Sequence, residues 1–286
     1  MSTENWATER TEDFMEVRYR NDKTLFTGKS EFQKVEVVQT RWHGKMLLND
    51  DLVMLTEKDE FVYHDMISHI PLFTHPNPKT VLVIGGGDGG SAREALRHEG
   101  VEKVVMVEID KMVVDACIEH IPQTSEVLLG HPKLELIIGD GVKYVNETKL
   151  KFDVIIVDST DPIGPAQPLF GPDFYKDVYS CLSDNGIVVS QGESPWYNVP
   201  IQESMMEVLS SQFPFVRMYQ FGNLTYPGGA WCFTFASKGL SPLKDFDKSR
   251  VAESGLKFKY YTPELHSACF ALPQFLLDSV EKFFKG

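Results

Sequence analysis

A pair of carboxylates, Asp158 and Asp161, follows directly after the apolar run 154–157. Carboxylates in such a position can hold a cation or accept a proton from a substrate. Pro162 biases Asp161 toward an extended backbone, and further prolines and glycines up to residue 172 predict an irregular loop of about ten residues. Loops of this kind often close over a ligand. A structural turn with a solvated acid pair is the competing interpretation.

Three other apolar runs are followed by acids in the same way. Asp88 lies in the loop after the run 81–84, Glu108 ends the run 104–107, and Asp140 follows the run 134–138. In an open parallel sheet, ligands bind at the carboxyl ends of the strands. If the runs are neighbouring strands, their acids meet at one edge of the sheet. This placement favours a binding site over ordinary solvent-exposed acids.

The run 81–84 leads into a glycine-rich loop, Gly85-Gly86-Gly87-Asp88-Gly89-Gly90. Glycines permit positive φ and let the backbone approach a ligand closely. Glu108 follows Asp88 by 20 residues, the spacing at which an acid binds ribose hydroxyls in nucleotide-binding folds. An acid within the loop would repel a pyrophosphate and attract a cation. The pattern therefore favours an S-adenosyl sulfonium compound over NAD, with Asp140 placed to accept a hydrogen bond from the adenine amine.

These residues need a frame of alternating strands and helices, and the chain from Thr80 onward supplies one. Continuous apolar runs predict buried parallel strands at 81–84, 104–107, 134–138, 154–157 and 187–190. Helical patterns lie at 91–98, 111–120, 173–182 and 202–211, and a closing antiparallel pair is predicted at 215–221 and 231–236. The predicted fold class is α/β, a Rossmann-like doubly wound sheet of the methyltransferase-like kind, with a small N-terminal antiparallel β domain.

Short alternating runs before residue 57, at 15–19, 32–38, 45–48 and 52–55, predict that β domain. We therefore divide the chain into an N-terminal β-strand domain, 1–56, and a catalytic domain, 57–286. The small domain would bury few residues alone, so we expect it to pack on the larger domain or on a second subunit. Thr56 is predicted to cap a helix that stops at Pro71, and the stretch 264–284 a helix in two pieces divided at Pro273.

The chain is acidic, since 41 Asp and Glu against 28 Lys and Arg give a formal net charge of −13. This charge disfavours a nucleic-acid partner, because phosphate binding needs a basic surface, and it is compatible with a cationic substrate. The four cysteines lie apart in apolar stretches and are expected to be buried free thiols. No apolar run reaches the ~18 residues of a membrane span, and the segment from Met1 shows no secretory pattern. We expect a cytoplasmic protein.

The glycine loop and the acid motifs resemble those of the aminopropyltransferases of polyamine synthesis, the spermidine synthase family. The similarity extends to residues 56–66, 225–229 and 270–274, and so to nearly the whole chain. The resemblance implies transfer of an aminopropyl group from decarboxylated S-adenosylmethionine to putrescine, giving spermidine and 5′-methylthioadenosine. It also implies a homodimer or homotetramer, no metal, and no cofactor besides the donor co-substrate.

The resemblance assigns roles to individual residues by position. Asp158 would be the proton acceptor, and Asp88 would hold the aminopropyl ammonium. The nucleoside part of the donor would contact Gln33, Gly85, Gly87, Asp88, Glu108, Asp140, Gly141 and Pro165. The acceptor amine would be bound by Tyr63, His64, Asp88, Asp158, Ser159, Thr160, Asp161 and Tyr226.

The acceptor amine needs a base, because an amine with a pKa of ~10.4 is protonated at neutral pH and has no free lone pair. An ordinary aspartate is weak for this task, and we expect repulsion from Asp161 and Asp88 to raise the pKa of Asp158. The sulfonium activates its own leaving group, so a single displacement needs neither a metal nor a covalent intermediate. Assisting hydroxyls are expected from Tyr63, Tyr226 or Ser159.

Two other functions stay open at this point. A methyltransferase on the same fold would need donors for the carboxylate of S-adenosylmethionine, and a catalytically silent binding protein would not need Asp158. The sequence does not choose among putrescine, cadaverine, agmatine and spermidine, although Glu193 is a candidate for the distal ammonium. Asn223-Leu224 stands where the family commonly has Ile-Pro, which leaves the shape of the Tyr226 loop open. His64 and His69 are five residues apart and do not share a helix face, so a metal site is not expected.

Overall fold

The computed structural model describes residues 5–11, 14–162 and 164–286. Residues 1–4, on which the expected absence of a secretory pattern partly depends, lie outside the described residues. So do Glu12 and Asp13, and Ile163, which belongs to the Asp158 loop. None of the helices in the described part of the chain has the length and apolarity that spanning a bilayer requires.

The N-terminal part is an antiparallel sheet whose five strands neighbour one another in chain order. Its strands are β1 (Trp6–Thr11), β2 (Met15–Lys29), β3 (Lys34–Thr40), β4 (Gly44–Asn49) and β5 (Leu52–Thr56). The expected antiparallel unit is confirmed, and the structure adds β1, which was not predicted. Asp50 and Asp51 have φ of 47° and 66°, as a two-residue hairpin loop between β4 and β5 requires.

The larger part is built on a seven-stranded sheet in the order β11-β12-β10-β9-β6-β7-β8. Its strands are β6 (Thr80–Gly85), β7 (Lys103–Glu108), β8 (Leu134–Ile138), β9 (Phe152–Asp158), β10 (Leu182–Gln191), β11 (Phe215–Gly222) and β12 (Ala230–Ser237). Strands β6 to β10 are parallel, and β12 pairs antiparallel with β10 and β11. The predicted Rossmann-like sheet with a closing antiparallel pair is confirmed.

Helices connect these strands and follow them to the C-terminus. They are α1 (Glu60–Thr74), α2 (Gly90–Leu96), α3 (Lys111–His120), α4 (Pro122–Ser125), α5 (Gly141–Glu147), α6 (Pro172–Cys181), α7 (Val199–Gln212), α8 (Lys248–Glu253), α9 (Pro263–Ala268) and α10 (Gln274–Val280). The C-terminal stretch breaks at Pro273, as predicted. The short helices α4, α5 and α8 were not predicted, and a 3-10 helix, Gly164–Phe170, occupies the loop for which little regular structure was expected.

Side chains that alternate along the central strands enter two different cores. Val81 and Val83 of β6 pack with Met66 of α1 and with α2. Leu82 and Ile84 of the same strand pack on the opposite face with α6 and α7. Each such buried side chain stabilises the fold by about 1.5–3 kcal/mol. Because helices cover both faces of the sheet, the ends of the strands are the places left for a ligand.

Helix α1 differs from its predicted bounds at both ends. It begins at Glu60 rather than after Thr56, and it continues through Pro71 to Thr74. A proline inside a helix removes one backbone hydrogen bond, and here the burial of every α1 residue except Phe61 offsets that loss. Asp59 takes the N-cap position, yet its carboxylate makes no capping bond and is engaged elsewhere, as described below.

The N-terminal sheet packs on the larger part, which is one of the two arrangements we expected. Val113 and Cys117 of α3 share a hydrophobic core with Val35, Leu47 and Leu55 of the sheet. This contact brings the loop before β3 to the carboxyl ends of the central strands.

Candidate active site

The candidate site lies where the order of the central strands reverses. The chain runs from β6 to β7 and β8 on one side and returns to β9 on the other, and ligands of open α/β sheets bind at such a switch point. A cavity of about 520 Å³ opens there. Every residue to which the family resemblance assigned a role lines it, namely Gln33, Tyr63, His64, Gly85, Gly87, Asp88, Glu108, Asp140, Gly141, Asp158, Ser159, Thr160, Asp161, Pro165 and Tyr226. Glu193, the further candidate, does not line this cavity.

The glycine loop follows β6 and turns into α2 in a way that side chains would prevent. Gly85 has a φ of 80°, and a Cβ at this position would lie 2.2 Å from the carbonyl oxygen of Asp158. A Cβ at Gly87 would lie 3.0 Å from Oε2 of Glu108. Glycine at these two positions therefore lets the loop pass close to both carboxylate-bearing strand ends.

Asp158 ends β9, and two hydroxyl groups bind its carboxylate. Tyr63 donates to Oδ1 at 2.8 Å and Ser91 donates to Oδ2 at 2.7 Å. Burial and then repulsion from Asp88 raise the pKa of Asp158, whereas the positive charge of His64 and the two hydroxyls act in the opposite direction. The result is a carboxylate that is fixed in direction and more basic than an exposed aspartate.

His64 lies between two carboxylates on the other side of the glycine loop. Its Nδ1 is 2.7 Å from Oε2 of Glu60, and its Nε2 is 3.3 Å from Oδ1 of Asp88. Burial disfavours the charged ring, but Asp88 and Glu60 together raise the pKa of His64 well above its ordinary value. Arg93 in turn binds Oε2 of Glu60 at 2.9 Å. A chain of alternating charges therefore leads from the site into the contact between α1 and α2.

Glu108 ends β7 on the far side of the glycine loop from Asp158. Its Oε1 accepts the backbone N–H of Asp110 at 2.8 Å. Burial raises the pKa of Glu108 to about 7, against the effect of that hydrogen bond. Gln33, from the N-terminal sheet, donates to Oδ2 of Asp110 at 3.0 Å, and so the two parts of the chain meet at this wall.

The neighbouring strand end, after β8, completes the same side of the cavity. Asp140 is the N-cap of α5 and accepts the backbone N–H of Val142 at 2.8 Å. Gly141 packs so closely that a Cβ would lie 2.5 Å from Cγ2 of Ile84. Pro165, in the first turn of the 3-10 helix, faces the cavity from the opposite side.

The Tyr226 loop is fixed by Asp59, whose side chain lies at the start of α1. Oδ2 of Asp59 accepts the backbone N–H groups of Leu224 at 3.1 Å and Thr225 at 2.9 Å. Its Oδ1 accepts the Thr225 hydroxyl at 2.6 Å, and Asn223 accepts the backbone N–H of Tyr226 at 2.7 Å. Asn223 and Leu224, which differ from the common family pattern, are therefore part of an ordered turn.

The hydroxyl of Tyr226 does not reach Asp158 but donates to the carbonyl oxygen of Met54 at 2.6 Å. The hydroxyl of Ser159 is buried and has no hydrogen-bond partner among the described residues. Of the three hydroxyls expected to assist the base, the structure therefore brings only that of Tyr63 to Asp158. The second hydroxyl that binds Asp158 is that of Ser91.

A second cavity, of about 100 Å³, adjoins the first beyond Asp161. Glu9 of β1 lines it, and Oε2 of Glu9 is buried with no hydrogen-bond partner in the described part of the chain. Burial raises the pKa of Glu9 to about 7, and burial with repulsion from Asp161 raises that of Glu193 to about 8. Glu193 also has a φ of 64°, which is uncommon outside glycine. We call Glu9, Asp161 and Glu193 the distal acids.

Comparison with known proteins accounts for this combination of a nucleoside-type cleft and buried acids. Residues 60–248 match the sequence profile of the spermine/spermidine synthase domain. The chain belongs to the spermidine synthase family of polyamine aminopropyltransferases. Residues 5–57 match the profile described as the spermidine synthase tetramerisation domain. The resemblance inferred from the glycine loop and the acid motifs is confirmed.

Relatives in this family align over nearly their whole length. A polyamine aminopropyltransferase of Clostridium kluyveri is 48% identical over 273 residues, which are 96% of this chain and 98% of that protein. The one of Methanocaldococcus jannaschii is 46% identical and aligns with 97% of this chain and 95% of its own. Aminopropyl transfer in polyamine biosynthesis is therefore the activity of this family member.

Two solved spermidine synthases share the fold. The structure of the Thermotoga maritima enzyme superimposes with a TM-score of 0.92 at 38% identity, covering 97% of this chain and 94% of that chain. A spermidine synthase in complex with the transition state analogue AdoDATO superimposes with a TM-score of 0.95 at 39% identity, covering 97% and 95%.

Four polar side chains of this aminopropyltransferase were not assigned to the site from the sequence: Glu9, Asp59, Glu60 and Ser91. Glu60 precedes His64 by four residues, a spacing that places two side chains on one helix face. The contact between Glu60 and His64 could therefore have been predicted from the sequence. Ser91 directly follows the glycine loop, and its position in the first turn of α2 was a usable signal. Glu9 lies in β1, which was itself not predicted.

Two clusters of side chains offer metal-ligand atoms within 4.8 Å of one another among the described residues: His64–Asp88–Asp158 and Asp65–His69–Glu94. In the first cluster both ring nitrogens of His64 face carboxylates, and a doubly protonated ring has no lone pair for a metal. In the second cluster Glu94 is paired with Arg93 and Arg97. Both clusters are therefore arranged as hydrogen-bonded ion pairs in this family member.

Proposed function

We propose that this aminopropyltransferase transfers the aminopropyl group of decarboxylated S-adenosylmethionine to putrescine, with Asp158 as the general base. The products are spermidine and 5′-methylthioadenosine. The observation that carries the proposal is the Asp158 carboxylate, which is fixed by Tyr63 and Ser91 and made more basic by burial and by Asp88. The solved relative in complex with the transition state analogue AdoDATO is named a spermidine synthase, which supports spermidine as the product.

The donor is proposed to lie across the glycine loop. Glu108, buried at the end of β7, accepts the ribose hydroxyls, and Asp140 accepts the adenine amine. Asp88 binds the ammonium of the aminopropyl group, which places the reacting carbon between the loop and Asp158. Contacts with the nucleoside part are proposed for Gln33, Gly85, Gly87, Gly141 and Pro165, all of which line the cavity.

The acceptor is proposed to be a diamine because carboxylates that could bind a second ammonium lie at the end of the site away from the donor. Its reacting amine lies at Asp158, among His64, Tyr63, Ser159, Thr160 and Tyr226. Its far ammonium lies in the second cavity, which the buried Glu9 and the half-buried Asp161 line. Glu193 is buried next to Asp161. Oε2 of Glu9 is buried without a hydrogen-bond partner among the described residues. Such a polar atom is costly, and an ammonium offsets that cost.

The reaction is a single displacement that balances without another reactant. Asp158 removes a proton from the acceptor ammonium, and the freed lone pair of nitrogen forms a bond to the methylene carbon next to sulfur. The C–S bond breaks, and its electron pair neutralises the sulfonium. The new secondary amine leaves as a cation, and Asp158 returns its proton to solvent. Positioning supplies most of the acceleration, and we propose that no metal or further cofactor takes part.

The assembly and location of the enzyme are also proposals. The match of residues 5–57 to a tetramerisation domain supports a homo-oligomer, a homodimer or homotetramer, built through the domain 1–56. The acidic charge supports small cationic partners rather than nucleic acid, and a cytoplasmic location stays an expectation from the sequence.

A set of incubations tests the function. The enzyme is mixed with decarboxylated S-adenosylmethionine and, in separate reactions, with putrescine, cadaverine, agmatine, spermidine and butylamine, and the product masses are measured. We expect an aminopropyl adduct with putrescine at the highest rate and 5′-methylthioadenosine in equal amount. A parallel set of reactions contains ordinary S-adenosylmethionine as the donor. A methylated product in that set, or binding without turnover in either set, would contradict the proposal. Faster reaction with another amine would correct the acceptor alone.

A further inference from the structure

We propose that Glu60 and Arg93 are positioning residues that keep His64 as a permanent imidazolium, with its Nε2 next to the Asp88 carboxylate, so that Asp158 stays ionised beside Asp88. The inference rests on the roles proposed above for the two aspartates. It adds a function for a buried ion pair that touches neither reacting atom.

The surroundings of the His64 ring favour two protons. Nδ1 faces Oε2 of Glu60 at 2.7 Å and Nε2 faces Oδ1 of Asp88 at 3.3 Å. A neutral imidazole donates from one nitrogen only, and the other would then set a lone pair against a carboxylate. The ring has no room to turn away, because it packs on the backbone of Gly90, where a Cβ would lie 2.1 Å from its Cε1.

Arg93 holds Glu60 in the orientation that this contact needs. Its guanidinium binds both oxygens of Glu60, at 3.2 Å and 2.9 Å. The same guanidinium donates from Nε to Glu94 at 2.8 Å and from Nη1 to the carbonyl oxygen of Gln123 at 2.9 Å. Burial alone would raise the pKa of Glu60, but His64 and Arg93 lower it to about 2. Glu60 is thus a fixed anion behind the ring.

The positive charge of the His64 ring counteracts the repulsion between Asp88 and Asp158. One ligand atom from each of His64, Asp88 and Asp158 lies within 4.8 Å of the others, and two carboxylates this close favour protonation of one of them. Protonated Asp158 is no longer a base. The charged or titratable groups that face His64 are Glu60 and Tyr63 of α1, Asp88 of the glycine loop, Arg93 of α2, Asp158 of β9 and Tyr226 beyond Tyr63.

The first test measures the His64 ring directly in the ligand-free wild-type enzyme. ¹⁵N NMR of the histidine ring nitrogens, followed from about pH 6 to 9, is expected to show both nitrogens of His64 protonated throughout. In Glu60→Gln the ring is expected to lose a proton within this range. A neutral His64 ring in the wild-type enzyme near pH 8 would overturn the inference. Because no substrate is present, this result is independent of the proposed reaction.

The second test follows kcat/KM against pH with the donor and acceptor proposed above. Glu60→Gln is expected to move the acidic limb to higher pH, so that a loss of about tenfold near neutral pH shrinks as pH rises. Glu60→Asp keeps the charge and is expected to restore the wild-type limb in part. Glu99→Gln, an equal charge change at an exposed residue after α2, is the control.

A loss of activity that is the same at every pH would show that Glu60 has only a structural role and would overturn the inference. If Glu60→Gln does not fold, the NMR titration of the wild-type enzyme and the pH profile of Glu60→Asp decide the question. An enzyme inactive with all amines but with a protonated His64 would reject the proposed function and leave the charge state of the ring established.

Discussion

The backbone N–H of Gly86 donates to the carbonyl oxygen of Asp158 at 2.8 Å. The residue before Gly86 pairs with Asp158 in the register of β6 and β9, so the glycine loop and the proposed base belong to one rigid corner of the sheet. Sites built on strands hold their geometry better than sites built on loops. The distance between the donor carbon and the base is therefore set by the central sheet.

Asp158→Asn is expected to lower kcat by about 10²–10⁴-fold, the usual contribution of a general base. The amide keeps the shape of the side chain but cannot take a proton, so the affinity for 5′-methylthioadenosine should change little. Steady-state rates and calorimetric titration measure the two effects. Asp173→Asn, an equal change at an exposed residue of α6, should leave both unchanged. Wild-type activity in Asp158→Asn would reject the base assignment.

Asp88→Asn is expected to narrow the preference for decarboxylated over ordinary S-adenosylmethionine. The ordinary compound carries a carboxylate next to the ammonium, and Asp88 repels it. Arg10, which also lines the cavity, is paired with Glu16 at 3.2 Å. The ratio of binding constants for the two compounds is the measurement, and about a tenfold narrowing corresponds to one hydrogen bond to a charged group. An unchanged ratio would contradict the charge argument.

Glu108 should release a proton when the nucleoside binds near pH 7. Burial raises its pKa to about 7 in the empty cavity, so the side chain is about half protonated there. Ribose hydroxyls that donate to the carboxylate favour its charged form and lower its pKa. Calorimetric titration with 5′-methylthioadenosine in buffers of different ionisation enthalpy gives the proton count. Proton uptake, or a release that persists in Glu108→Gln, would contradict the assignment.

Glu9→Gln is expected to raise the KM for putrescine by tenfold or more while the KM for the donor stays the same. The change removes a buried charge from the proposed place of the far ammonium, and a charged hydrogen bond contributes about 1.5–3 kcal/mol. Butylamine has no far ammonium, so its slow reaction should be affected little. Glu253→Gln, an equal charge change at an exposed residue of α8, is the matched control. Equal effects on both amines would contradict the distal role.

Asp59→Asn should loosen the Tyr226 loop, because the carboxylate accepts two backbone N–H groups and the hydroxyls of Thr56 and Thr225. We expect a loss of about 1–3 kcal/mol in the free energy of unfolding and a several-fold rise in the KM for the acceptor. Thr225→Val, which removes one of these donors, should give a smaller effect of the same kind. A change confined to the KM for the donor would show that this loop does not shape the acceptor cavity.

The central sheet and its acids were predictable because both follow from local signals. A strand buried on both faces must be apolar throughout. In a parallel sheet, the residues that bind a ligand come directly after the carboxyl ends of the strands. These two rules lead directly to Asp88, Glu108, Asp140 and Asp158. Glycine at 85 and 87 was predictable for the same reason, since the backbone must pass close to those ends.

Contacts between distant parts of the chain were beyond such rules. With Thr56 predicted as the helix cap, Asp59 would lie in the first turn of that helix. Its side chain instead binds residues 224 and 225, which only the folded chain brings near. Pro71 looked like a helix end, yet tertiary burial carried α1 through it. β1 was missed because its sequence, Trp-Ala-Thr-Glu-Arg-Thr, has little apolar content, and its Glu9 points inward for a reason that only the second cavity reveals.

The distal acids make the stability of the empty enzyme depend on pH and on the proposed acceptor. Burial holds the pKa of Glu9 near 7 and that of Glu193 near 8, against 4.5 for an exposed glutamate. Their neutral forms suit the fold at low pH, and stability is lost as pH rises through those values. A diamine that binds the ionised acids restores that stability. Putrescine should therefore raise the melting temperature more at pH 9 than at pH 6, because it supplies the positive charges that stabilise the buried carboxylates.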